Sequence, residues 1–337
     1  MPYVIETHSL TKKYGPKALA VSSLEIQVES REIFGLLGPN GAGKTTTVKM
    51  LTTLLRPTSG SAVVGGWDVV RNARTVRRVI NYLPQQVTAD DTITGYENLL
   101  FYAKLYKLAK ESRDERIWEA LDLVGLREKA NELAGSYSGG MKRRLELASV
   151  LVSGPQILFL DEPTLGLDPR SRAMIWDFLL RMRDRYNTTI FVTTNYMDEA
   201  DKLCDRVAII DAGMTVVEGR PSELKSAVGG DIVSMSTDAN ERTIDQLVNS
   251  LDYVKRVEFA SGSVKLLIEG KSGEEVIPTL LSEIKALGSN VDSVTLQKAS
   301  LDDVFAAHTH KTLDQEAAMG GPMRLVNRAR LLKARRS

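Results

Sequence analysis

Cysteine is almost missing from these 337 residues; Cys204 is the only one. An internal disulfide framework is therefore excluded, and a reducing compartment fits. Long apolar runs are missing as well. No stretch reaches the roughly 18 consecutive apolar residues that a membrane-crossing helix needs, so no span is expected. Charge of one sign is also lacking, with 44 Lys plus Arg set against 43 Asp plus Glu and a formal net charge of +1. Proteins built to hold nucleic acid usually show a basic excess, so that partner is not expected. Histidine is scarce, and His8, His308 and His310 form no metal-ligand spacing with carboxylates. The opening MPYVIETHSLTKKYG lacks the apolar core of a secretion signal, and none is expected.

What remains is an ordinary globular composition, 43% hydrophobic and 26% charged, in a chain long enough for two domains. Strand-like runs occur at YVIETHSL, LEIQVES and IFGLLG, and two more, QILFLD and TIFVTT, flank a helix expected at 169–186. Short apolar strands alternating with helices imply an α/β fold with a largely parallel sheet covered on both faces. Between about 85 and 155 the pattern is helical, and Thr94 and Glu97 fit a capping box. After about 226 the order becomes strand, helix, strand, strand, helix, strand, then a last helix from Ser300, which suits a small ferredoxin-like α+β domain. The expected division is 1–226, with AVGGD at 227–231 as linker, then 231–310, then a basic tail at 311–337. From Pro322 to Ser337 that tail has six Lys or Arg and no acid, which suits a solvated end or a basic segment resting on anionic lipid.

Three motifs carry chemistry. GPNGAGKT places Gly38, Pro39, Asn40, Gly41, Ala42, Gly43, Lys44 and Thr45 between a strand and a helix, with Thr46 following. Such a loop curls its N–H groups toward phosphate oxygens at a helix N-terminus, so a P-loop holding ATP is expected. Lys44 would reach the β- and γ-phosphates, and the Thr45 hydroxyl would ligate Mg²⁺. ILFLDEP ends a buried strand in two carboxylates: Asp161 is expected to hold Mg²⁺ and Glu162 to polarise the attacking water. YSGGMKRR puts Ser138, Gly139 and Gly140 at a helix start, a second phosphate site.

In this order the three motifs resemble the nucleotide-binding subunit of ABC transporters, over about residues 3–225. TGYENLLFYAKLY, YSGGMKRRLELA and PTLGLDPRSR look like the drug-resistance-type exporters within that family, and SLDDVFAAHT is similar to the segment closing their extra C-terminal domain. The resemblance implies that Tyr14 stacks on adenine and that Asp168 lies in a loop crossing a dimer interface. It also implies that Gln85 links the sheet core to the helical insertion and serves the catalytic and Mg²⁺ site. It further implies a head-to-tail homodimer with two ATP molecules between the P-loop of one chain and Ser138–Gly140 of the other. ATP-driven closure would then power export through a separate integral membrane permease. The chain itself would be cytoplasmic and peripheral on the cell membrane.

One position departs from the family. Its members end the strand TIFVTT in a histidine, and here the residue is Asn195. Asparagine is shorter and cannot become cationic. Three consequences are open: Asn195, or a water it holds, replaces the histidine and turnover is slow but real; the dimer is an ATP-dependent clamp with very slow hydrolysis; or the residue is an engineered substitution trapping the ATP state. A soluble relative acting on DNA or ribosomes is opposed by the near-neutral charge and the lack of a coiled coil.

Overall fold

A computed structural model describes residues 3–309 apart from 16–17, 87, 229, 261–262 and 270, together with 324–327. The chain divides into two compact units, Met1–Arg220 and Pro221–Ser337.

In the first unit, β1 (Tyr3–Tyr14) and β2 (Ala18–Glu29) are long antiparallel partners. Then come β3 (Ile33–Leu37), α1 (Lys44–Leu51), β4 (Ser59–Val64), β5 (Trp67–Asp68), α2 (Ala73–Val79) and β6 (Ile80–Leu83). The helical stretch follows as α3 (Gly95–Leu105), α4 (Lys110–Leu123) and α5 (Gly139–Ser153). The unit closes with β7 (Ile157–Asp161), α6 (Pro169–Tyr186), β8 (Thr189–Thr194), α7 (Met197–Leu203), β9 (Arg206–Asp211) and β10 (Met214–Gly219).

Two sheets result. A six-stranded sheet runs β10-β9-β3-β8-β7-β6, parallel except for β10. A four-stranded antiparallel sheet runs β2-β1-β4-β5. Every residue of β3, β7 and β8 is buried, which is why these strands read as continuous apolar runs without alternation. Phe191 of β8 stacks on Phe34 and meets Phe159 at a tilt, each neighbouring ring centroid 5.5 Å away. Local signals set the helix ends. Thr94 and Glu97 complete the capping box of α3, while α6 has Asp168 as cap, Pro169 at its first turn and a left-handed Asn187 at its end.

The second unit contains α8 (Pro221–Val228), β11 (Ile232–Thr237), α9 (Glu241–Ser250), β12 (Val254–Ala260), β13 (Ser263–Ile268), α10 (Gly273–Ala286), β14 (Val291–Gln297), α11 (Leu301–Thr309) and β15 (Arg324–Asn327). Its sheet order, β14-β11-β13-β12-β15, is antiparallel throughout and gives the ferredoxin-like arrangement with one added edge strand. Val233, Leu266 and Ile268 of the sheet pack with Ile244 of α9 and Leu280 of α10 in a separate core. The expected linker at 227–231 runs from the end of α8 toward β11, with Gly229 outside the described residues. Of the basic tail, only 324–327 is described. Among the described residues no helix is long and apolar enough to cross a membrane.

Candidate functional site

Parallel register decides which residues meet. Strand β8 lies between β3 and β7, pairing Thr194 with Leu37 on one side and Thr193 with Asp161 on the other. The three strands therefore end together. Gly38 leaves β3, Glu162 leaves β7 and Asn195 leaves β8 at one edge, the C-terminal side where open parallel sheets hold their ligands. Asparagine at the end of an apolar strand is thus delivered between the glycine loop and the carboxylate pair.

The loop itself needs glycine. Gly38 has φ +155°, and a Cβ there would sit 2.2 Å from the Ile210 carbonyl oxygen. Gly43, the cap of α1, has φ +109°, and its Cβ would meet the Ala20 oxygen at 2.5 Å. Pro39, Asn40 and Gly41 form an exposed arch, whereas Ala42, Gly43 and Lys44 are buried. Thr46 lies half-buried in the first turn of α1.

Lys44, only 5% exposed, donates from Nζ to the Gly38 oxygen at 2.7 Å and to the Pro39 oxygen at 3.2 Å. Its third partner is Glu162 Oε1 at 3.2 Å. Gln85 Nε2 donates to the other oxygen of Glu162 at 3.3 Å. Glu162 holds a left-handed backbone, φ +47°, and its N–H donates to Thr193. Non-glycine residues in that region store strain, and such strain gathers at working sites. Asp161 is buried and accepts from Thr193 Oγ1 at 2.6 Å and Thr45 Oγ1 at 3.2 Å. Asn195 is half-buried, and its Oδ1 is buried without a hydrogen-bond partner.

Sequence reasoning passed over Arg143. Lying in the "KRR" of YSGGMKRR, it reads as solvated, yet it is 3% exposed. Its guanidinium donates to the Pro84 oxygen at 2.7 Å, the Pro163 oxygen at 2.9 Å and the Asp161 oxygen at 3.4 Å. These carbonyls flank Gln85 on one side and Glu162 on both. Glu146, also 3% exposed, pairs with Arg143 at 3.1 Å and accepts from the Thr88 N–H and hydroxyl. Burial lowers the Arg143 pKa, and the Glu146 carboxylate opposes that shift.

The remaining expected residues fall elsewhere. Ser138 caps α5 through Met141 N at 3.3 Å, and open space surrounds Gly139. Asp168 caps α6, accepting from Ser171 N and Oγ, and those bonds hold its carboxyl below the usual range. A Cβ on Gly140 would meet Ser171 Oγ at 2.4 Å, so the Ser138 and Asp168 loops adjoin each other. Among the described residues, no hydrogen bond or ion pair joins Ser138–Gly140 to the Lys44 cluster. Tyr14 is 48% exposed at the end of β1, with the Lys12 ammonium 5.5 Å from its ring centre.

The oxygen donors around Asp161 suit a hard divalent cation, which commonly takes one or two carboxylates and completes its shell with phosphates and water. Thr45 and Asp161 would hold Mg²⁺, while among the described residues the Gln85 amide is bonded to Glu162 rather than to either of them.

Comparison with known proteins gives a consistent family. The family described as ABC transporter matches residues 21–165, and that described as ATP-binding protein DrrA1-3-like, C-terminal domain, matches 219–309. The daunorubicin/doxorubicin resistance ATP-binding protein DrrA of Streptomyces peucetius is 40% identical over 314 residues, covering 93% of this chain and 94% of its own. The linearmycin resistance ATP-binding protein LnrL of Bacillus subtilis is 34% identical over 92% of this chain and 99% of its own. Among solved structures, cbiO1 from Clostridium perfringens, described as part of the ABC transporter complex cbiONQ, superposes with a TM-score of 0.62. It is 25% identical and covers 74% of this chain and 96% of its own.

Proposed function

The chain belongs to the ATP-binding subunits of ABC transporters, and from that premise we propose that it is the ATP-hydrolysing motor of a drug exporter whose membrane path lies in a separate chain. The observation that carries the reading is the convergence of Lys44, Gln85 and Glu162, beside Thr45 and Asp161, beyond the ends of β3, β6 and β7 in one sheet.

In this reading the backbone N–H groups of the loop between Gly38 and Thr45 take the phosphates of ATP, and Tyr14 takes the adenine. Lys44 exchanges its loop carbonyls and Glu162 for phosphate oxygen. Glu162, relieved of that partner, accepts a proton from the attacking water while Gln85 steadies it. Thr45 and Asp161 would hold a Mg²⁺ ion, which would supply positive charge to offset that of the phosphates. Asn195 orients the water through its unpaired Oδ1, an acceptor already desolvated and lacking a competitor.

Ser138 and Gly139 open a second helix N-terminus that the Lys44 cluster does not use, which favours a head-to-tail homodimer in which each chain completes the other's site. The motor would sit on the cytoplasmic side of the membrane. On α3, Phe101 is 59% exposed and packs edge-on to Tyr102, a surface suited to the membrane partner, whereas Tyr96 is tied to Asp114 and Trp118. Relatives named for daunorubicin/doxorubicin and linearmycin resistance favour a drug of that kind as cargo.

A second reading, an ATP-gated clamp with very slow turnover, draws on the same Asn195, which cannot supply the positive charge of a histidine. Both readings require the dimer. Size-exclusion chromatography of the Glu162→Gln variant should give a dimer with Mg-ATP and a monomer without nucleotide. Ser138→Arg should abolish the dimer while leaving ATP bound. A monomer under all conditions would overturn the sandwich.

A further inference from the structure

Glu199 of α7 is completely buried, 0% exposed. A carboxylate survives there only if its oxygens are satisfied. Oε1 accepts from Thr164 Oγ1 at 2.7 Å and from Trp176 Nε1 at 2.9 Å, and Oε2 accepts from Thr194 Oγ1 at 2.6 Å. The donors come from three different elements. Thr164 follows Glu162 in the loop leading to Asp168, Thr194 ends β8 immediately before Asn195, and Trp176 lies on α6 beyond the Asp168 cap.

Packing alone does not account for this choice. An apolar side chain could fill the same space without the desolvation cost of a carboxylate. What the carboxylate adds is direction, since three separate donors are satisfied only in one mutual arrangement. The hold extends past Asn195: Thr194 Oγ1 also accepts from Tyr196 N at 3.0 Å, and the Arg172 guanidinium lies 4.5 Å from the Tyr196 ring centre.

We propose that Glu199 is a positioning residue for the reaction, bridging Thr164 and Thr194 so that the loop from Glu162 to Asp168 and the strand end presenting Asn195 keep one spacing. It touches no reacting atom. The inference rests on the reading of the chain as an ATPase, and its test separates the two.

The test is a set of double-mutant cycles on the full-length protein. Thr164→Val, Thr194→Val and Glu199→Gln are each made alone and with Asn195→Ala, and kcat, ATP KM and melting temperature are measured. Valine replaces the hydroxyl by a methyl of similar size but leaves a buried oxygen of Glu199 short of a donor. Melting temperature therefore reports whether each variant folds, and Glu199→Gln, which removes the buried charge, keeps the test falsifiable. The expected result for Thr194→Val and Thr164→Val is a kcat about tenfold lower with ATP KM changed less than about threefold. Glu199→Gln keeps one oxygen for Thr164 and Trp176 and should stay within about threefold of wild type. In the Thr194→Val background, Asn195→Ala should lose most of its own effect, since coupled neighbours are not additive.

Independent, multiplicative effects of Thr194→Val and Asn195→Ala would show that Glu199 only packs. So would kcat losses that disappear well below each variant's melting temperature. If no chain, wild type included, hydrolyses ATP, the ATPase reading fails by itself. The same cycle is then read in the ATP concentration that half-saturates dimer formation, where coupling supports the positioning role and additivity overturns it.

Discussion

Lys44 Nζ stands 3.2 Å from Glu162 Oε1, so the cation proposed for phosphate and the carboxylate proposed as base hold each other across two strand ends. Both are largely buried, at 5% and 10% side-chain exposure, and neither is left uncompensated. The exchange of this pair for phosphate contacts is the first step of the proposed cycle. Lys44→Ala should raise the ATP KM and lower kcat by about 100-fold or more, the scale of losing one well-aimed charged donor. Nucleotide binding and phosphate release check this together; an unchanged KM would remove Lys44 from the site.

Arg143 makes a different prediction, because its work is on backbone carbonyls. Arg143→Ala leaves Glu146 buried without its cation, a loss of about 3–5 kcal/mol. In a domain of this size that is a fall in Tm on the order of 10 °C. Glu146→Gln keeps an acceptor for Thr88 and should cost less than half as much. Calorimetry of the two variants gives the comparison, and a negligible loss in Arg143→Ala would contradict the pairing.

The conformation of Gly38 can be tested by one methyl group. With φ +155° and the Ile210 oxygen 2.2 Å from the added Cβ, Gly38→Ala has no room without moving the loop. ATP affinity should drop at least about tenfold, whereas Gly41→Ala, with nothing within 4 Å of its added Cβ, should lose less. Titration with a fluorescent ATP analogue distinguishes them.

Alkaline stability bears on Tyr82. Burial first, and the Asp161 carboxylate second, push its phenol up to about 12 from 10.0. The folded protein therefore favours the neutral phenol. That contribution is complete below pH 10 and is lost as pH rises through about 12. Tyr82→Phe should show a shallower fall of Tm across that window than wild type. Parallel slopes would mean that Tyr82 does not titrate with unfolding.

Much of this was legible in the sequence, for physical reasons. The glycine loop announces itself because only glycine reaches its φ values, and β3, β7 and β8 do so because burial on both faces removes alternation. The α3 capping box is local and was readable from Thr94 and Glu97 alone. The antiparallel β2-β1-β4-β5 sheet was not, because register shifts along the β1–β2 pair interrupt the period of two and β5 has only two residues. Arg143 and Glu199 were missed for a shared reason. Each sits in a charged run that looks solvated, and its partners lie up to 59 and 35 positions away. Burial of a charge by distant chain leaves no mark on the periodicity around it.

The central claim is that this chain hydrolyses ATP with Glu162 as base and Asn195 in the place of a histidine. The direct measurement is steady-state phosphate release by the purified protein beside Glu162→Gln and Asn195→His. The account predicts measurable turnover by the native chain, its loss in Glu162→Gln, and a faster Asn195→His. Turnover by Asn195→His alone would contradict it and leave the native protein an ATP-gated clamp.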